Sequence, residues 1–173
     1  MLSSNQSTTK VLVRPAHEKD LAAVHALIVE LAKYERAENE VTLSLSKFSQ
    51  DFVAGCFEVS VALCEGQVVG MALHHARYST WKGVTWYLED LVVTEMWRGR
   101  GVGRALFDEV VSVAQCRGAQ RLEWQVLDWN VSAIGFYKAF NASLSSEWLN
   151  GRLTRDQLND WAFGNSEQKF RES

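Results

Sequence analysis

The stretch Trp97–Leu106, "WRGRGVGRAL", holds three glycines and three arginines in ten residues and closely follows the apolar run Tyr87–Val93, "YLEDLVV". The longer run "VTWYLEDLVV" is β-branched and aromatic, which predicts a strand. Behind the glycines, "VGRALFDEVVSVAQCRG" places Val102, Leu106, Val110 and Val113 at helical spacing and stops at Gly118. The glycines therefore mark a strand-to-helix junction. A glycine-rich turn exposes backbone N–H groups, the following helix adds its positive end, and both suit phosphate oxygens. Arg98, Arg100 and Arg104 can add charge-assisted hydrogen bonds, so a pyrophosphate or ribose phosphate is the ligand that fits. Glycine and arginine alone are equally at home in a solvated basic turn.

Two familiar phosphate loops do not match. The Walker pattern ends in Gly-Lys-Ser/Thr, and no such residues follow Gly103. The dinucleotide fingerprint needs glycine or alanine where Arg104 stands, and here the preceding topology reads as antiparallel.

Working outward, "VLVRP" predicts a first strand closed by Pro15, the single proline. Leu21, Val24, Leu27, Ile28 and Leu31 predict a helix from Glu18 to Tyr34, and a shorter one is expected over Ser46–Val53. "FEVSVALC", "EGQ" and "VVGMALHHARY" read as strand, turn and strand, and "STWKG" turns into the run that ends at Val93. Beyond Gly118, a strand is expected over Leu122–Leu127, a helix in "NVSAIGFYKAFN" with Asn130 as cap, and a last extended piece in "NASLSSEW". The predicted order is β-α-α-β-β-β-α-β-α-β.

The 173 residues, 47% hydrophobic, suit one globular domain, with residues 1–10 and 164–173 as polar tails. A net charge of −3 argues against nucleic acid or an anionic membrane as partner, so the arginines are expected to serve a small anion. Neither end carries an apolar segment of signal or membrane-spanning length, and three widely spaced cysteines show no zinc pattern, so a cytoplasmic protein without metal is expected. His74 and His75 are adjacent on a strand and point to opposite faces, which disfavours joint metal ligation.

The segment "RGRGVG", Arg98–Gly103, resembles the Arg/Gln-x-x-Gly-x-Gly/Ala signature of the Gcn5-related N-acetyltransferases, and "WNVSAIGFYKAF" is similar to their later motif, in which an Asn and a Tyr flank the cofactor. From about Val11 to Trp148, "RPA", "ELAKYE", "YLED", "FYK" and "LSSE" further resemble the diamine branch, the spermidine/spermine acetyltransferases and their thialysine-acetylating relatives. Asn141 stands where that branch has glycine, and asparagine accepts a left-handed cap.

The resemblance implies one α/β (α+β) N-acetyltransferase domain over 11–163. Its sheet would be mixed, mostly antiparallel and about seven-stranded, with helices on both faces and a V-shaped split between the strand ending at Val93 and that of Leu122–Leu127. Acetyl-CoA would lie in the V, its pantetheine arm paired with the backbone of Leu91, Val92 and Val93. Its phosphates would meet Arg98, Gly99, Arg100, Gly101, Val102, Gly103 and Arg104, with Asn130 and Ser132 beyond. A homodimer is also implied.

Acyl transfer to an amine requires a proton to leave a group of reference pKa about 10.4, an oxyanion to be stabilised and a thiolate to be protonated. By resemblance Tyr137 is the expected acid, and Glu89, acting through water, the base, with Asp90 as a hydrogen-bonding neighbour. On a regular strand Glu89 and Asp90 leave opposite faces; a β-bulge would change that aim. Tyr34, Glu35, Trp81, Glu89 and Asp90, with Glu123, Trp124 and Gln125 on the facing strand, are the expected amine-binding residues. Carboxylates would select a small cation, and an aromatic face adds cation–π attraction. Two other functions compete: a protein lysine or N-terminal acetyltransferase, and a non-catalytic acyl-CoA sensor.

Overall fold

β1 (Leu12–Pro15) pairs antiparallel with β2 (Glu58–Cys64), which turns into β3 (Gln67–Ser79). Glu65 and Gly66 both have positive φ, 51° and 78°, the twist a tight two-residue hairpin requires. β4 (Gly83–Val93) runs antiparallel to β3, and β5 (Leu122–Trp124) lies parallel to β4, giving the order β1-β2-β3-β4-β5. The structure is a computed structural model that describes residues 10–161. They form two units dividing between Gln125 and Val126. The residues expected as tails, apart from Lys10, lie outside the described range.

α1 (Leu21–Tyr34) packs Leu21, Val24 and Leu27 on Val59, Val61, Met71, Leu73 and Val92, with Phe48 of α2 (Leu45–Val53) completing that core. Its start is fixed by Asp20, whose carboxylate accepts two hydrogen bonds from Arg14 at 2.6 and 3.1 Å and one from His17 N–H at 2.7 Å. Arg14 holds that carboxyl below its usual range. The three residues before α1, Glu18–Asp20, form a 3-10 turn, so the expected helix begins three residues later than its spacing predicts.

α3 (Val102–Cys116) covers the other face, as the alternation of β3 shows: Met71 meets α1, while the next residue back, Gly70, meets Leu106. A Cβ at Gly70 would lie 2.9 Å from Val92 O and 3.1 Å from Leu106 Cδ1. Gly70→Ala should therefore push α3 from the sheet and cost about 1–3 kcal/mol, read as a lower urea midpoint at unchanged slope.

In the second unit the Asn130 side chain accepts from Ala133 N–H at 3.1 Å and caps α4 (Val131–Lys138), as expected. Asn141 takes the left-handed conformation, φ 58°. α5 (Arg155–Asn159) opens with a capping box between Thr154 and Gln157, a helix the sequence reading leaves unassigned.

The sheet has five strands among the described residues rather than about seven. The expected strand over Leu122–Leu127 stops at Trp124, and its parallel pairing with β4 covers only Trp86–Leu88. The expected extended piece in "NASLSSEW" forms no strand; it is serine-rich, nearly all exposed and without a ladder partner.

Candidate active site

Leu73 pairs with Asp90 and His74 with Leu88, so Glu89 is an inserted residue: a β-bulge lies where the two carboxylates meet. The insertion changes the phase of β4. Trp86 and Leu88 share a face with His74, whereas Asp90 and Val92 share the opposite one with Leu73 and Met71. Asp90 thereby turns to the α1 side, where Glu35 follows the last residue of that helix. Burial, then the charges of Glu89 and Glu35, push the Asp90 carboxyl up to about 6. Burial also raises Glu35. Glu35 and Glu89 thus both lie close enough to Asp90 for their charges to act on it, and desolvation weighs on Asp90 and Glu35.

Past Leu88, β4 continues through Glu89–Val93 with β3 on one side and no strand partner on the other among the described residues. That edge leads through Thr94 and the short 3-10 turn Glu95–Trp97 into the glycine loop. Gly99 and Gly101 have φ of 70° and 83°, which only glycine adopts without strain, and Gly101 is the N-cap of α3 with no side chain to satisfy its first turn. Nothing lies within 4 Å of where a Cβ would stand at either. The N–H groups of Val102 and Gly103 precede the first helical bond, Ala105 N–H to Gly101 O at 3.0 Å, so they have no partner within the helix, and a helix end of this kind suits an anion.

The arginines divide their work. Arg98 turns back from the loop: its Nε donates to Val93 O at 2.9 Å, its guanidinium lies 5.4 Å from the Tyr34 ring centroid, and Nη2 is 3.7 Å from Glu30 Oε1. Arg100 lies over Trp97 at 5.2 Å, and Arg104 Nε contacts both Asp108 oxygens at 2.9 Å.

Tyr34 is exposed at the end of α1, next to Glu35. Trp81, 83% exposed, stands at the tip of the β3–β4 hairpin, and the strand from Gly83 to Glu89 sets it roughly 20 Å from the carboxylates. On β5, Glu123 pairs with Arg121 at 3.2 Å and Trp124 meets Phe107 edge-on at 5.5 Å; Gln125 is exposed. In the second unit, Tyr137 is buried on α4, Ser132 is exposed near its start, and Asn130 is half-buried as its cap. Sequence spacing singles out neither Glu30 nor His75, although each touches an expected site residue. Register across the bulge and the fold-back of Arg98 bring them there.

His74, as its alternation predicts, leaves the other face. It is buried, with Trp86 Nε1–H donating to Nδ1 at 3.0 Å and Ser60 Oγ 3.2 Å from Nε2. Burial lowers its pKa to about 4. Between about pH 6.5 and 4 the unfolded chain binds a proton that folded His74 refuses, so acidification removes stability. Asp90 acts oppositely: folded, it binds a proton at higher pH than unfolded, so acidification from about 6 adds stability. The two offset each other in the wild type. Asp90→Asn removes the larger of the groups that oppose His74, Glu35 being the other, and its urea stability should fall more steeply below pH 6 than wild type, by up to roughly 1.4 kcal/mol per pH unit. Parallel pH curves would contradict the two assignments.

Among the described residues no group of His, Cys, Asp or Glu is arranged to hold a metal ion, and no helix is long and apolar enough to cross a membrane. Comparison with known proteins agrees with the fold. The chain is 36% identical over 142 residues to a thialysine N-epsilon-acetyltransferase of Bos taurus, covering 76% of this chain and 84% of that protein. It is 32% identical to that of Caenorhabditis elegans, covering 88% and 95%. Among solved structures, a mutant form of the BH1408 protein from Bacillus halodurans superposes with a TM-score of 0.67 at 26% identity over 83% of this chain and 99% of that one. An aminoglycoside acetyltransferase from an uncultured soil sample, meta-AAC0020, shares the fold, with a TM-score of 0.71 at 19% identity over 83% and 95%. The acetyltransferase (GNAT) family profile matches residues 22–142, a span that runs from α1 through the bulge and the glycine loop to Asn141. With that span matched and relatives alike over most of their length, the chain belongs to the GNAT family and is an acetyltransferase.

Proposed function

We propose that this acetyltransferase moves an acetyl group from acetyl-CoA to a primary amine of a small cation, a thialysine- or lysine-like amino acid or a polyamine, by direct attack in a ternary complex. The observation that carries this reading is the closeness of Glu35 and Glu89 to Asp90 at the bulge, beside the open edge of β4 that leads to the glycine loop. A cluster of carboxylates costs the fold solvation and mutual repulsion, and a bound polycation relieves both. The names of the relatives agree: besides the thialysine enzymes, an Arabidopsis thaliana L-ornithine N5-acetyltransferase is 38% identical over 92 residues, 53% of this chain and 40% of that protein.

Acetyl-CoA supplies the activated acyl carbonyl. The glycine loop would hold its phosphates through backbone N–H groups, with Arg100 and Arg104 as the neighbouring cations, and Leu91–Val93 would pair with its extended arm. Glu89 takes the amine proton through water, while Asp90 and Glu35 bind the cationic end. Tyr137 protonates the departing thiolate, a role carried over from the family motif. A second copy completes the assembly as a homodimer, and the cytoplasm is the compartment.

A panel of thialysine, lysine, ornithine, putrescine, spermidine and a peptide lysine, read by free-thiol release with products identified by mass spectrometry, tests the reading. Turnover of one or more of the small cations, with the peptide poor, is expected. Preference for the peptide, or acetyl-CoA binding without turnover of any amine, would replace it with a protein acetyltransferase or a sensor respectively.

A further inference from the structure

His75 lies on β3 opposite Tyr87, on the face that also carries Leu73 and Asp90, and its ring is half-exposed. Nδ1 is 3.0 Å from Ala76 O, and a carbonyl oxygen can only accept, so Nδ1 bears a hydrogen. Nε2 faces Glu89 Oε2 at 3.5 Å. With Nδ1–H fixed, a neutral imidazole presents a lone pair at Nε2 and a carboxylate presents another. The contact is attractive only when one proton lies between them.

The geometry points to a proton relay: His75 and Glu89 hold one shared proton, and His75 passes to solvent the proton that Glu89 takes from the amine. This rests on Glu89 being the proton acceptor, as proposed above. With the shared proton on Nε2 of the resting pair, the imidazolium gives that proton to water as the ammonium N–H bond breaks and, through the intervening water, a Glu89 O–H bond forms; the Glu89 proton then moves to Nε2 and restores the imidazolium–carboxylate pair. Both side chains return to their starting state, and no electrons move. Half-exposure gives His75 a route outward to solvent. His75 is thus a positioning and relay residue acting through Glu89.

Other groups bear on the pair. Tyr87 packs against His75 at 5.5 Å and lies under Arg77 at 5.3 Å, and Glu123 of β5 is near enough to act on Tyr87. Asp90 and Glu35 contribute negative charge, while His74, on the opposite face, feels His75.

The test compares wild type, His75→Gln and Glu89→Gln in acetyl-CoA binding, in kcat/KM against pH with the best amine of the panel, and with added imidazole. His75→Gln should bind acetyl-CoA as wild type does. It should lose up to about 10²-fold in kcat/KM near neutrality, the low end for lost proton-transfer help, show a displaced acid limb, and recover activity as imidazole is added. Glu89→Gln should lose more and not be rescued. Unchanged acetyl-CoA binding shows that His75→Gln is folded, and rescue by imidazole is the readout a merely structural role of His75 would not produce. An unmoved acid limb without imidazole rescue overturns the relay. Full activity in Glu89→Gln overturns the assignment of Glu89 beneath it.

Discussion

Gly101→Asp should weaken acetyl-CoA binding by at least about tenfold and by as much as about a hundredfold, because it sets a carboxylate in the proposed anion cradle and opposes hydrogen bonds worth about 1.5–3 kcal/mol each. The fold should survive. The space around a Cβ at Gly101 is open, so the cost is the left-handed backbone at φ 83°, about 1–2 kcal/mol for a residue with a side chain. Gly101→Ala carries the same backbone cost without the charge, and the difference between the two variants isolates the electrostatic part. Calorimetry with acetyl-CoA decides it: equal affinities for Gly101→Asp and Gly101→Ala would place the phosphates away from this loop.

Tyr137→Phe should leave acetyl-CoA binding intact while kcat falls by roughly 10²–10⁴-fold, the range for a lost general acid. The change removes one oxygen and almost no volume from a buried side chain that packs edge-on against Phe136, so stability should change little. On the role proposed for Tyr137, the high-pH limb of kcat should disappear with the phenol. Near wild-type turnover with an unchanged pH profile would mean that water protonates the thiolate and that Tyr137 only packs.

Those two variants probe what the sequence displayed most openly. The glycine loop was legible because left-handed backbone and close approach of an anion both demand glycine, and the strand before it and the helix after it have strong periodicity. The hairpin turn at Glu65-Gly66 and the Asn130 cap were legible for the same local reason. Features that depend on pairing were not. Whether Leu122–Leu127 forms six residues of strand or three depends on how far it stays paired with β4, and that pairing ends at Leu88, next to the bulge. The bulge also decides the site: were β4 regular, with Glu89 taking its own place in the ladder, Asp90 would share the phase of Trp86 and Leu88 and turn away from Glu35. Sequence spacing places the two carboxylates side by side without fixing their direction. Arg98 shows the same limit. Its composition reads as a phosphate ligand, yet in the fold it braces the end of β4 and reaches Tyr34 and Glu30 on α1.

The central claim, that carboxylates gathered at the bulge select a cationic amine, is tested most directly by one ratio. It is kcat/KM for a diamine divided by kcat/KM for a monoamine with a neutral tail of equal length, measured in wild type, Glu35→Gln and Asp90→Asn. Both variants keep shape and delete charge. The wild-type ratio should exceed one, and each substitution should lower it by about fivefold, the effect of roughly 1 kcal/mol expected for a partly solvated ion pair. A ratio unchanged in both variants, with each folded and binding acetyl-CoA normally, would contradict the claim and move the amine site away from Glu35 and Asp90.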